Sequence, residues 1–135
     1  MYRLLILFFA ILLIGCVNTG MFVAINETNV ELSEANYNIA AANVTGESSA
    51  GYLLGFSYPF GATTGTLALV RVSGSGMLYR EALENLWQQY TEKYGDIKGK
   101  KLALVNVRYD IDTINLILYT EARVSIRADV VEFTD

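Results

Sequence analysis

The spacing of apolar and polar residues changes several times along the chain, and each change marks an element. Leu4 to Ile14 is uninterrupted apolar sequence behind Tyr2 and Arg3. A run of this kind fits the core of an export signal, about 7 to 15 residues, and falls short of the roughly 20 that span a bilayer. Val17 to Ser33 has no clear period; Asn26 to Asn29 reads as a turn or tether, and Val30 to Leu32 as the opening of a strand. From Asn36 to Ser49, Tyr37, Ile39 and Ala41 keep period two, after which Val44, Gly46 and Ser48 hold the other parity. This predicts a strand with a bulge near Asn43. Tyr52 to Phe56 continues it toward Pro59, the only proline, so Ser57 to Gly65 reads as a loop and Thr66 to Ser73 as the next strand.

Met77 to Tyr94 is helical in pattern. Leu78, Ala82, Leu83, Leu86, Trp87, Tyr90 and Tyr94 recur at three and four, with charged and amide residues between them. Ser75 is placed to cap this helix and Gly95 to stop it. After the charged turn Asp96 to Lys101, the stretch Leu102 to Asp112 alternates, diluted by Leu102 and Leu104 in a way that predicts cover on both faces at its start. In the last strand Ala122, Val124, Ile126, Ala128 and Val130 share one parity, and Val131 and Phe133 reverse it, which predicts a bulge or the sheet's end near Val130. The order strands, helix, strands predicts an α+β fold: a mainly antiparallel sheet with one long helix packed on one face.

The apolar leader ends in Leu13-Ile14-Gly15-Cys16, which resembles the bacterial lipoprotein signal. That resemblance implies cleavage before Cys16, diacylglyceryl transfer to its thiol, and a protein held in the cell envelope, expected at the outer membrane and facing periplasm or surface. An uncleaved anchor and an ordinary secreted protein are the competing readings. Cys16 is the sole cysteine, so no disulfide forms within the chain. The expected organisation is a signal peptide over 1–15, a lipidated cysteine and tether over 16–33, and one domain over 34–135. Of 10 Lys plus Arg and 14 Asp plus Glu, the leader holds only Arg3, leaving 9 minus 14, or −5, on the mature chain. A mildly acidic domain is a poor binder of nucleic acid.

The stretches Thr28 to Leu32, Asn36-Tyr37, Gly46 to Ala50, the helix, Ala103 to Val107 and Ala128 to Phe133 together resemble small Bacteroidetes lipoproteins. More distantly they are similar to TRL-like and YbjQ-like proteins. These resemblances imply a compact domain, ring-forming in the YbjQ-like case. The heavy-metal-binding label of that group comes with no ligand motif to carry over.

With no histidine in the chain, imidazole acid–base chemistry, the usual serine and cysteine triads and histidine-ligated zinc are excluded. Asp110, Asp112 and Glu121 are candidates for a hard cation, weighed against the commoner solvated strand end, so no metal and no cofactor is expected. The Ser73 to Gly76 turn lacks the lysine and the spacing of a phosphate loop and reads as a plain lead into the helix. Tyr52, Phe56, Tyr58 and Phe60 are candidates for a ligand-stacking platform, against packing at a sheet edge or oligomer contact. Asp112-Thr113-Ile114 resembles the O-glycosylation signal of exported Bacteroidetes proteins, which implies modification of Thr113. The expected function is a non-enzymatic structural or interaction module tethered to the membrane. Its expected partners are an envelope protein or further copies of itself, and the alternative is a lipoprotein that binds a small ligand or glycan.

Overall fold

The computed structural model describes residues 17–21, 32, 35–60, 63–116 and 118–134, with backbone only at 17–21, 59–60 and 63–64. In it the alternating stretches form an antiparallel sheet. Its strands are β1 (Val17–Met21), β2 (Tyr37–Phe60), β3 (Thr63–Ser73), β4 (Leu102–Asn115) and β5 (Tyr119–Phe133). They lie in the order β1-β4-β5-β2-β3, and helix α1 (Leu78–Tyr94) connects β3 to β4. The architecture is α+β, as the pattern predicts.

Period two assigns the two faces. Ala122, Val124, Ile126, Ala128 and Val130 of β5 are buried on one face, opposite Ala50, Ser48, Gly46, Val44 and Ala41 of β2. Tyr109, Ile111 and Thr113 of β4 continue the same rows. Onto this face α1 lays Leu78, Ala82, Leu86 and Tyr90, one residue per turn, and each large apolar side chain so buried contributes about 1.5 to 3 kcal/mol. Gly46 makes the approach possible: a methyl there would collide with the Ala82 carbonyl and lie 2.8 Å from Leu86 Cα. Where β3 ends, the helix takes over the edge of β2, and Asn85 Nδ2 donates to the Glu47 carbonyl at 2.7 Å. An otherwise open edge group is thereby satisfied.

The bulge expected near Asn43 is present, and a second faces it. Asn43 has φ +54° and Asn106 φ +52°, each at a register shift, on β2 and β4 respectively. Between them on β5 stands Asp129, which accepts the Asn43 N–H at Oδ1 and Asn106 Nδ2 at Oδ2, both at 2.8 Å. These bonds, the Asn106 one foremost, hold the Asp129 carboxyl below its ordinary range, with help from the charge of Arg108.

Several boundaries differ from the sequence expectation. Most of the expected loop from Ser57 to Gly65 is instead the far part of a β2–β3 hairpin, paired from Tyr52↔Arg71 to Phe60↔Thr63. Pro59 is tolerated there because β2 pairs with β5 only as far as Leu53, so beyond that point it has one open edge. Ser75 is not the residue at the helix boundary: Met77 is, and the Ser75 hydroxyl accepts the Met77 N–H at 3.1 Å. β5 runs on through Val130 to Phe133, and the irregularity lies across from it on β2 between Ile39 and Ala41. Val105 and Val131 are buried on the face away from the helix, which agrees with the two-sided cover expected near Leu102. β1 falls inside the stretch read as a tether, while most of Val30 to Leu32 lies outside the described residues.

Candidate functional site

The face of the sheet away from α1 is a grid of polar side chains whose rows are set by register. Thr45, Arg127 and Arg108 stand side by side on β2, β5 and β4; then come Glu47, Ser125 and Asp110; then Ser49, Arg123 and Asp112. In the third row the charges oppose, and Arg123 also reaches Glu121 at 3.3 Å. In the first row two arginines face each other directly, an arrangement that costs free energy across a strand pair. Neither is within ion-pair distance of a carboxylate among the described residues. Between these rows lies a recess of about 220 Å³ lined by Thr45, Glu47, Arg108, Asp110, Ser125 and Arg127. Asp110 Oδ1 is buried beside it, and no hydrogen-bond donor among the described residues reaches it.

The chemistry of this recess is mixed. Two guanidinium groups suit a carboxylate, sulfate or phosphate, which they bind through paired N–H donors. Glu47, Asp110 and the hydroxyls of Thr45 and Ser125 are acceptors suited to hydroxyl or amine donors. The volume is below the roughly 300 to 1,000 Å³ of a typical small-molecule pocket, so it fits a small acid or one sugar unit.

The second surface is the hairpin arm. Beyond Leu53 it extends past β5 and exposes Leu54, Phe56, Tyr58, Leu67 and Leu69. Its base is fixed by three contacts. The Asn115 side chain pairs with the backbone of Ser57, accepting its N–H at 2.7 Å and donating to its carbonyl at 2.8 Å. Thr120 Oγ1 donates to the Gly55 carbonyl at 2.6 Å, and the Leu54 N–H bonds the Leu118 carbonyl at 3.0 Å.

The sequence-predicted site residues scatter. Tyr52 is half-buried against the core, while Phe56 and Tyr58 stack with ring centroids 6.3 Å apart on the exposed arm. They follow one another along an extended ribbon, where Phe56 lines a shallow, open apolar hollow with Leu54, Leu67 and Leu69; Phe60 contributes only its backbone to the described part. Thr113 is 3% exposed and opposes Ala122 on the helix-covered face, so the folded domain has no room for a glycan there; the expected modification site is corrected on that ground. Asp110 and Asp112 open onto the polar grid, whereas Glu121 Oε2 accepts the Tyr119 hydroxyl at 2.9 Å. Among the described residues no three acidic or cysteine side chains gather to hold a metal ion. No described helix is long and apolar enough to cross a membrane. Cys16 lies outside the described residues. The arginine pair was missed because each strand's charged parity is visible in sequence, whereas the register that sets Arg108 against Arg127 is not.

A small α+β domain with one charged sheet face and one projecting apolar hairpin is what the fold and these surfaces define. The chain belongs to DUF6567, a family of unknown function, whose profile matches residues 1–135. No curated protein and no solved structure matches it.

Proposed function

We propose that this chain is a lipid-anchored bacterial envelope protein that works as a non-enzymatic interaction module. The observation that carries the reading is Leu13-Ile14-Gly15-Cys16 at the end of an apolar run bearing no charge after Arg3. The polar grid of Glu47, Arg108, Asp110, Arg123 and Arg127 supports the interaction role, because an open, mixed-charge sheet face offers direction-specific contacts to a polar partner. Intact-mass measurement on protein from the membrane fraction tests the anchor. The expected mature chain begins at Cys16 with an acyl increment, and Cys16→Ala leaves the detergent phase. A mature chain beginning elsewhere, or unmodified, overturns the reading.

The recess supports a second reading, in which the module binds a small ligand that carries an acid group next to hydroxyls, as an acidic sugar does. Its support is Arg108 and Arg127, neither within ion-pair distance of a carboxylate among the described residues, beside Asp110 Oδ1, which no hydrogen-bond donor among those residues reaches. Calorimetric titration with glucuronate and with glucose separates the two cases. Binding of the acid alone, lost in Arg127→Ser, supports this reading; no heat with either sugar removes it.

A further inference from the structure

Three uncharged stretches that are far apart in sequence meet at one end of the sheet. The first is β2 and β3 from Ser48 to Val70, which holds no Asp, Glu, Lys or Arg; the second is Thr113 to Thr120 around the β4–β5 turn. Asn115 and Thr120 tie the second to the base of the first. The third is β1, whose first residue Val17 pairs with Ile114 at this same end, whereas Met21 pairs with Ile111 farther in. Cys16 is joined directly to Val17.

The side chains exposed here are too apolar for an ordinary wet surface. Leu67 and Leu69 are 79% and 77% exposed, and Leu54, Phe56, Tyr58, Leu116 and Leu118 accompany them. Leu54 is also held at φ +49°, a conformation that disfavours a branched side chain. A leucine there serves neither the backbone nor the core. Large exposed apolar patches mark sites of association with protein or membrane.

We infer that the hairpin arm and the β4–β5 turn dock on the lipid bilayer, so that the domain meets the membrane end-on with its polar grid turned away from the hydrocarbon. The inference rests on the lipid-anchor reading, since an acylated Cys16 next to Val17 draws this end of the sheet to the membrane surface. A bilayer is favoured over a second copy because the anchor end and the apolar end coincide. Insertion stops at the headgroup level. β3 is an edge strand with unpaired backbone groups, which hydrocarbon does not tolerate and interfacial water satisfies. Phe56 and Tyr58 suit that depth, about 5 to 10 Å below the surface. With no charge on the arm, docking is insensitive to salt.

Leu67→Cys, Leu118→Cys and Lys100→Cys, each made in the full acylated chain, test this, because acylation occupies the only native thiol. Lys100 precedes β4, at the opposite end of the sheet from Asn115. Each protein is labelled with a polarity-sensitive fluorophore and reconstituted in vesicles of phosphatidylethanolamine and phosphatidylglycerol, with its acyl mass verified. The expected result is that labels at 67 and 118 are quenched several-fold more strongly by a lipid-attached quencher than the label at 100, and are shielded from iodide. An acylated protein whose Leu67→Cys label is open to iodide overturns this inference and leaves the anchor reading intact. A label shielded from both quenchers shows a second copy on the arm and overturns it too. Absence of the acyl mass overturns both readings together.

Discussion

Asn106 Nδ2 donates to Asp129 Oδ2 at 2.8 Å from a bulge residue with φ +52°, so a side chain that tolerates the left-handed region also supplies the bond that fixes the bulge. The Asn43 N–H completes the arrangement from the other flanking strand. Asp129 thereby sets the register of β2 and β4 against β5, which decides the residues that face one another across the polar grid.

Asp129→Asn is expected to lower stability by about 1 to 2 kcal/mol at neutral pH, the scale of a charge-assisted hydrogen bond partly screened by water. Because the folded carboxyl is held below the ordinary aspartate value of 3.8, its contribution is complete above that value. It is then lost as pH falls through 3.8 toward the lower folded value. Denaturant melts at neutral and strongly acid pH should show the gap between wild type and variant closing in acid. A gap that stays constant would mean that the ionised carboxylate is not what holds the bulges.

Gly46→Ala and Leu86→Ala test the helix–sheet contact from its two sides. The alanine methyl at 46 meets backbone of α1, which cannot swing aside as a side chain can, so the cost is about 1 to 3 kcal/mol. That exceeds the roughly 0.4 to 1 kcal/mol gained from a stiffer unfolded chain. Leu86→Ala empties a fully buried position and costs about 2 to 5 kcal/mol. Glu84→Ala removes only an exposed pair with Arg80 and costs about 0.3 to 0.5 kcal/mol. Thermal melts that rank Glu84→Ala with the other two would place the buried stripe on the wrong side of the helix.

The helix stripe, the α+β class and the bulge at Asn43 were legible because each follows from spacing within one segment. The bulge at Asn106 was not, since the alternation from Ala103 to Ile111 continues through it without a break in parity. The hairpin arm was hidden for a different reason: its glycines and Pro59 carry loop signals, and its strand character depends on β2 and β3 pairing with each other. Tyr52, Phe56, Tyr58 and Phe60 stood out as a cluster of aromatics, yet with Ser57 to Gly65 read as a loop, spacing alone could not show that Phe56 and Tyr58 lie along one exposed ribbon.

Arg127→Ser removes one of two like charges set face to face, so it should leave stability unchanged or raise it by about 0.2 to 1 kcal/mol. Phosphate should raise the melting temperature of the wild type by filling the gap between the guanidinium groups, and should lose that effect in the variant. A variant that is clearly destabilised and keeps the phosphate response would show that Arg127 is structural and that anions bind elsewhere.

Asn115→Ala tests how the arm is held. The Asn115 amide imitates a neighbouring strand, receiving the Ser57 N–H and donating to the Ser57 carbonyl, at a residue only 1% exposed. Removing it leaves two backbone groups short of partners in a place that water reaches poorly, at about 1 to 3 kcal/mol for each group left unsatisfied. The arm has a cheaper response. It can swing away from the sheet and hydrate those groups, keeping only its β2–β3 pairing. The expected signature is therefore local: amide exchange at Ser57 accelerates by orders of magnitude, while Val124 and Ile126 in the central strand keep most of their protection. Unaltered exchange at Ser57 would mean that Thr120 and the Leu54–Leu118 bond hold the arm without Asn115. Equal acceleration at Ile126 would mean that arm and sheet open as one cooperative unit.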